Sequence, residues 1–449
     1  MFKSVYLILT LFCSISIYSQ MPGWHVLPNS PSTVWRHDDI SFINENTGWA
    51  LYNTSFSGSN NGRVYKTTDG GNSWIMQMSV TNIGLRCVGF TDSLHGWIGT
   101  LGFIGSLGKT PILYRTIDGG VQWDSVTFEI GNRPGGLCGM NILDRDHVFV
   151  CGRINTPQSY TPPYFIKTTN GGLNWITKNM SNYAVELIDC KFFSPDSGFV
   201  IGGVDTPVFF NTKNVILFTS DGGNTWNERF RDTKVMQNLW KVSFPSRNTG
   251  YCSINSVFTD SIPFIKTTNG GINWFRMSFP VTGSTVTQGI GFVNDNTGWI
   301  AGDVNSSFMT TNGGLSWTAD NFGSNLNRIR FLNDSIGYAG GQRIYKYTRE
   351  PIGIQQISRE IPKSFVLYQN YPNPFNPSTN IKFEIPKSTF VTIKIFDALG
   401  KEIDIPVNQN IEAGSYSEIW DASALPSGIY FYTIFAGDNS ESRKMALIK

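Results

Sequence analysis

From residue 40 to residue 341 the chain repeats one arrangement of apolar and polar positions. A short apolar run leads into a polar turn, and Gly-aromatic then opens a second apolar run. The copies are ISFINENTGWALY at 40–52, VGFTDSLHGWIGT at 88–100, GMNILDRDHVFVCG at 139–152, CKFFSPDSGFVIGG at 190–203, VSFPSRNTGYCSI at 242–254, IGFVNDNTGWIAGD at 290–303 and IRFLNDSIGYAGG at 329–341. The third copy has His147-Val148-Phe149 in place of Gly-aromatic. Alternation over short runs predicts half-buried strands joined by tight turns.

A second motif, Thr-x-Asp/Asn-x-Gly-x-x-Trp, falls between these copies and recurs six times. It carries Asp69, Gly71 and Trp74, then Asp118, Gly120 and Trp123, then Asn170, Gly172 and Trp175. It continues with Asp221, Gly223 and Trp226, with Asn269, Gly271 and Trp274, and with Asn312, Gly314 and Trp317. A repeat of about 50 residues holding four short strands predicts a blade of a β-propeller. Seven copies predict seven blades over 21–350. The seventh unit lacks a box and a fourth strand, and Gly23–Leu27 reads as the strand that completes it. Closing the ring in this way leaves no exposed sheet edge to protect.

The box reads as structural. A short Asp or Asn side chain accepts backbone amides and holds a turn. The glycines supply permissive backbone angles, and the tryptophan packs between sheets. Asn in three of the six boxes suits a turn-former and does not suit a catalytic carboxylate. No calcium loop of the DxDxDG kind is present, so no metal is expected there.

Composition narrows the function. The chain of 449 residues has a formal net charge of +2, so nucleic acid is not an expected partner. Residues 1–19, MFKSVYLILTLFCSISIYS, read as a secretory signal peptide, and no membrane span is expected in the mature chain. Beyond Cys13, the cysteines Cys87, Cys138, Cys151, Cys190 and Cys252 form no CxxC and lie in or beside apolar runs. They read as core residues, with a Cys138–Cys151 bridge left open. His25, His37, His95 and His147 show no metal-ligand spacing, and no cofactor motif is found.

Candidate binding residues lie at the start of the innermost strands. Arg86, Trp240, Gln288 and Asn327 each stand four residues before a recurrent Phe. Alternation predicts one common face for them, giving a basic and aromatic channel mouth suited to an acidic peptide or a glycan. The alternative is that they fill the hub. The insertions Thr100–Pro111, Arg153–Pro163 and Val204–Asn214, with Tyr160, Tyr164 and Phe210, are further candidates. For catalysis, Glu186 and Asp189 are single carboxylate candidates with no second member identifiable. No catalytic residue is assigned.

The boxes and the Gly-Trp or Gly-Tyr strands resemble the Asp-box (BNR) repeat of sialidases. The whole of 21–350 is similar to the photosystem II assembly and stability factor propellers. That resemblance implies the fold and leaves the activity open. The sialidases' Arg-Ile-Pro entry motif is absent, so a divergent glycoside hydrolase is carried only as the alternative to a non-catalytic binding or scaffold module.

Residues 351–364 read as a linker. From 365 to 449 the chain resembles the type A C-terminal sorting domain of the type IX secretion system. The residues that carry this are Tyr371-Pro-Asn-Pro-Phe-Asn-Pro377, Val391–Ile403, Leu425–Tyr432 and Lys444–Lys449. The resemblance implies a small immunoglobulin-like β-sandwich and the secretion machinery as partner. It also implies a secreted or outer-membrane surface-attached product in a Gram-negative bacterium, acting on an unknown surface protein or glycan.

Overall fold

A computed structural model describes residues 23–27, 29–54, 61–101, 111–126, 136–152, 155–156, 159–160, 162–205, 212–235, 237–303, 307–348, 355–358, 360–422 and 425–448. The expected signal peptide at 1–19, most of the three insertions (Phe210 among them) and part of the 351–364 linker lie outside the described residues. The chain divides into one unit at Pro22–Thr348 and another at Arg349–Lys449.

In the first unit, strands follow one another in antiparallel sheets. Sheet 1 runs Arg36–Phe42, Gly48–Asn53, Gly62–Thr67, Ile75–Val80. Sheet 2 runs Leu85–Phe90, Gly96–Thr100, Leu113–Thr116, Asp124–Ser125, and sheet 3 runs Gly139–Ile142, Val148–Gly152, Tyr164–Thr168, Ile176–Asn179. Sheet 4 runs Glu186–Phe192, Gly198–Val204, Lys213–Thr219, Asn227–Arg231, and sheet 5 runs Asn238–Ser243, Gly250–Asn255, Ser261–Thr267, Phe275–Pro280. Sheet 6 runs Thr285–Phe292, Gly298–Gly302, Phe308–Thr310, Thr318–Ala319, with Val257–Phe258 added at its inner edge. Sheet 7 runs Arg328–Phe331, Ile336–Gly340, Ile344–Thr348, and its outer strand is Gly23–Val26, paired from Gly23 with Thr348 to Val26 with Tyr345. Each first strand packs against the first strand of the next sheet, and Arg328–Phe331 packs against Arg36–Phe42. The arrangement is all-β and propeller-like.

One aromatic device joins successive sheets. The Phe ending a first strand lies over the Gly that opens the second strand of its own sheet. A Cβ on Gly48 would collide with the Phe42 ring, and one on Gly298 would collide with Phe292. The far side of that Phe takes the Gly-following aromatic of the preceding sheet. Trp49 stacks on Phe90 at 3.4 Å, Tyr251 on Phe292 at 3.6 Å and Tyr338 on Phe42 at 3.4 Å. The box tryptophan then meets the Phe edge-on, as Trp123 meets Phe90 at 5.9 Å and Trp317 meets Phe292 at 6.1 Å. The edge-on contacts have a favoured aromatic geometry, while the parallel rings lie nearly face to face. This is why Gly and the ring recur together.

The boxes are hydrogen-bonded turns. The Thr67 hydroxyl donates to Asp69 (2.8 Å) and accepts from the Gly71 amide (2.8 Å), and Asp69 accepts from the Ser73 amide (2.9 Å). The Asn boxes repeat this, with Asn174 N donating to the Asn170 side chain at 3.0 Å. Gly70 and Gly71 take φ of 72° and 94°, where a side chain is strained. Donors from Ser73, with a further bond from Thr67, hold the Asp69 carboxyl down at about 2. The described cysteines are all buried, and none is in a disulfide.

In the second unit, Gln355–Ser358, Gly414–Asp421, Ser378–Ile385 and Val366–Leu367 form one antiparallel sheet. Glu402–Ile411, Thr389–Asp397, Gly428–Ala436 and Asn439–Leu447 form another. Their inward residues, including Phe383, Ile393, Tyr432 and Met445, share one core.

Candidate functional site

The first strands carry their chemistry at irregularities in the ladder. Register shifts fall at the same level in sheets 1, 2, 4, 5 and 6. The extra residues are Asp38 and Asp39, Arg86, Ile188, Trp240 and Lys241, and Gln288. A bulge sets two residues against one and re-aims a side chain. Neighbouring residues of one strand therefore both reach the hub.

Three tiers result. In the first, Arg36 and Arg86 both pair with Asp38, at 2.8 and 2.5 Å. The Arg86 guanidinium lies 4.9 Å from the Trp240 ring centre, and Trp240 Nε1 donates to Asn327 at 2.6 Å. Asn327 in turn donates to the Asp38 carbonyl at 2.6 Å, and Arg36 donates to Gln288. In the second tier, Arg328 pairs with Asp189 at 2.9 Å, and its Nε lies 2.9 Å from Asp39, off the hydrogen-bonding direction. Lys241 is fully buried and its Nζ has no hydrogen-bond partner among the described residues. The third tier holds Ser41, Asn141, Lys191, Ser243 and Arg330, with Arg330 3.1 Å from Asp39. Asn141 accepts from the Phe192 amide (2.7 Å) and Ser243 from the Phe292 amide (3.2 Å).

The fold therefore gathers Arg86, Trp240, Gln288 and Asn327, with Arg36 and Asp38 as the connection. It places them inside a packed hub: Arg86 is 2% exposed, Trp240 6% and Asn327 0%, and only Gln288 is partly open. Glu186 and Asp189 share one strand, but Asp189 is held by Arg328. Tyr164 is buried in the core between sheets 2 and 3. Asp39, Lys241, Arg328 and Arg330 were not singled out by the sequence reading. The available signal for Asp39, Lys241 and Arg328 was charge at the third position before the recurrent Phe, whereas Arg330 stands directly before Phe331.

Burial works against charge throughout the hub. Arg36 and Arg86 nonetheless hold the Asp38 carboxyl below its ordinary range, and Arg328 with Lys241 does the same for Asp189. Burial, reinforced by Arg328, brings the Lys241 ammonium down to about 7. Burial and then Arg330 lower Lys191.

Below the third tier a cleft of about 390 Å³ opens, lined by Asn141, Lys191, Ser243, Phe244, Arg328 and Arg330 among others, with Asp334 on its edge. It offers cationic and amide groups beside apolar Phe244 and Val293. Among the described residues no group of three or more His, Cys, Asp or Glu is placed to hold a metal ion.

Comparison with known proteins gives the address. Residues 369–449 match the family described as secretion system C-terminal sorting domain. The chain ends in a type IX sorting domain. That sorting domain implies secretion and cell-surface attachment in Bacteroidetes. Among the described residues no helix is long and apolar enough to cross a membrane. The chain is also similar to the chloroplast photosystem II stability/assembly factor of Oryza sativa subsp. japonica. Identity is 21% over 315 residues, covering 62% of this chain and 71% of that protein. YCF48 from Cyanidioschyzon merolae matches with a TM-score of 0.50 at 18% identity, over 73% of this chain and 98% of its own. The structure of YCF48 bound to D1 peptide matches with a TM-score of 0.52 at 18% identity, over 74% and 100%. A xyloglucanase from Xanthomonas campestris matches with a TM-score of 0.50 at 9% identity, over 81% and 60%. At these identities the likenesses speak for the propeller-like fold alone.

Proposed function

We propose that the protein is a surface-exported, seven-bladed propeller that binds an acidic segment of a partner protein without turning it over. The sorting unit is an immunoglobulin-like sandwich that engages the type IX machinery. One observation carries the binding reading: Asp38, Asp39 and Asp189 are each occupied by buried arginines, while Lys191 and Arg330, the latter also in contact with Asp39, line the open cleft. A pair of carboxylates flanking a bond, as glycoside hydrolysis generally needs, is not supported by hub acids already neutralised in this way. Cationic groups set into a partly apolar cleft suit an acidic peptide. YCF48 with its bound D1 peptide is an instance of a similar fold holding a peptide, which supports this choice of ligand class.

The test is a binding screen of the purified protein against acidic peptides and glycans, with turnover followed in the same samples. Saturable binding of an acidic peptide, weakened at least tenfold by Lys191→Met or Arg330→Gln, is expected. Glycan capture would redirect the ligand class, and turnover of any ligand would overturn the non-catalytic reading.

A further inference from the structure

The sheets are also bolted together at the box face in alternate sheets; sheets 4 and 6 carry apolar Phe218 and Met309 at the bolt position, and sheet 2 carries a cation there that makes no bolt. The residue before the box Thr is Lys in sheets 1, 3 and 5, where it donates to a glycine carbonyl in the next sheet's box. Lys66 reaches Gly119 at 3.0 Å, Lys167 reaches Gly222 at 2.7 Å and Lys266 reaches Gly313 at 2.6 Å. Trp49 adds a second bond to Gly119, at 3.3 Å.

Sheet 2 has Arg115 at this position, and the corresponding acceptor would be Gly171. No hydrogen bond joins Arg115 to it among the described residues, and a Cβ built on Gly171 meets only the Arg145 carbonyl and Asp146. Among the described residues, buried Arg115 Nε has no hydrogen-bond partner, and neither has Trp97 Nε1 on a side chain with 0% exposure. The aromatic device fails at the same junction. Ile142 stands where other first strands end in Phe, so Trp97 loses the stacking partner and meets Trp175 edge-on at 6.3 Å. A cleft of about 400 Å³ opens there, lined by His95, Trp97, Arg115, Arg145, Asp146 and Leu173 together with Asn170 and Gly171. Arg145 is exposed and Leu173 is 73% exposed. His95 is already paired with Asp92 at 2.9 Å.

We propose that this junction is a binding site for a small carboxylic acid, separate from the hub and its cleft. Two buried N–H donors without acceptors favour a ligand that supplies oxygen lone pairs. A guanidinium presents a planar fork that matches a carboxylate. Arg115 and Arg145 outweigh the single carboxylate of Asp146. Leu173 provides apolar cover for the ligand's carbon skeleton, and the volume lies in the small-ligand range.

The experiment uses the full chain labelled with ¹⁵N-tryptophan, with the Trp97 indole signal assigned by its loss in Trp97→Phe. Acetate, galacturonate and phosphate are titrated separately. Saturable movement of the Trp97 signal with acetate or galacturonate is expected, and a stronger response to galacturonate would assign the skeleton to a sugar acid. Arg115→Lys installs the bolt used by the neighbouring sheets, so it should keep the melting temperature and weaken binding at least tenfold. Arg145→Ala, at an exposed position, should weaken it several-fold and serves as the second variant. Saturation by phosphate alone, by none of the three, or equally in wild type and both variants would overturn the site.

Discussion

Arg86 and Trp240, from sheets 2 and 5, meet within the hub with the guanidinium 4.9 Å from the indole centre. The same indole donates at 2.6 Å to Asn327 of sheet 7. One side chain thus ties three sheets together. Trp240→Phe keeps a ring beneath Arg86 but leaves the buried Asn327 oxygen without that donor. A loss of about 1–3 kcal/mol in unfolding free energy is expected in urea titration. A change below the error of the titration would show that the bond contributes nothing.

Asp39 is the anchor of the second and third tiers, in contact with Arg328 and Arg330. Asp39→Asn strands positive charge inside the ring, and breaking a buried pair costs about 3–5 kcal/mol. Asp334→Asn, at an exposed edge position, is the control and should leave the urea midpoint unchanged.

Lys241 makes stability rise with pH just above neutrality. Its folded-state value is about 7 and its ordinary value is 10.5, so between them the unfolded chain holds a proton that the folded chain has released. Unfolding free energy then increases with pH, by up to about 1.4 kcal/mol per unit. Asp39, Asp189, Arg86 and Arg328 are the charged groups facing it. Buried thiols such as Cys87 and Cys252, raised by burial, act in the opposite sense at higher pH. The comparison is therefore made from pH 7 to 8.5. Wild type should show a slope that Lys241→Met lacks, and parallel curves would contradict the assignment.

Within a box, Thr should matter more than Asp. Asp69→Asn reproduces what Asn170, Asn269 and Asn312 already do, and it should shift stability by less than about 1 kcal/mol. Thr67→Val removes a buried hydroxyl that serves the Gly71 amide and Asp69 together, at a cost of about 1–3 kcal/mol. Thermal melts of the two variants side by side decide the order.

Gly298→Ala should destabilise strongly, by about 1–3 kcal/mol or more, because the new methyl enters the space of the Phe292 ring. Gly400→Ala meets no atom within 4 Å, although its φ of 79° carries a conformational penalty. The larger shift in melting temperature belongs to Gly298, and the reverse order would remove the steric explanation.

The repeat was legible because each box and each Gly-aromatic pair does one local job, and local jobs leave local signatures. Gly298 beside Phe292 is readable as Gly and Phe at fixed spacing. The hub was only half legible. Alternation picks out Trp240 but hides Lys241, because strict alternation sends neighbours to opposite faces and the bulge cancels that rule. The pairing of Arg328 with Asp189 joins sheets 7 and 4, 139 positions apart, and no spacing rule reaches so far. The gap between sheets 2 and 3 was visible as an oddity, the lost Gly-aromatic at His147-Val148. Its consequence for Trp97 depends on which sheet becomes its neighbour.

The pairing of Gly23–Val26 with Ile344–Thr348 makes the beginning of the ring answer to its end. Sheet 7 is a clasp, completed only when both ends of the first unit are in place. A chain shorn of residues 23–27 would hold a finished array with one open slot along Ile344–Thr348. That slot accepts any strand of matching pattern, including the same segment lent by a second molecule. The clasp that completes sheet 7 is thus also the joint through which two copies could exchange arms.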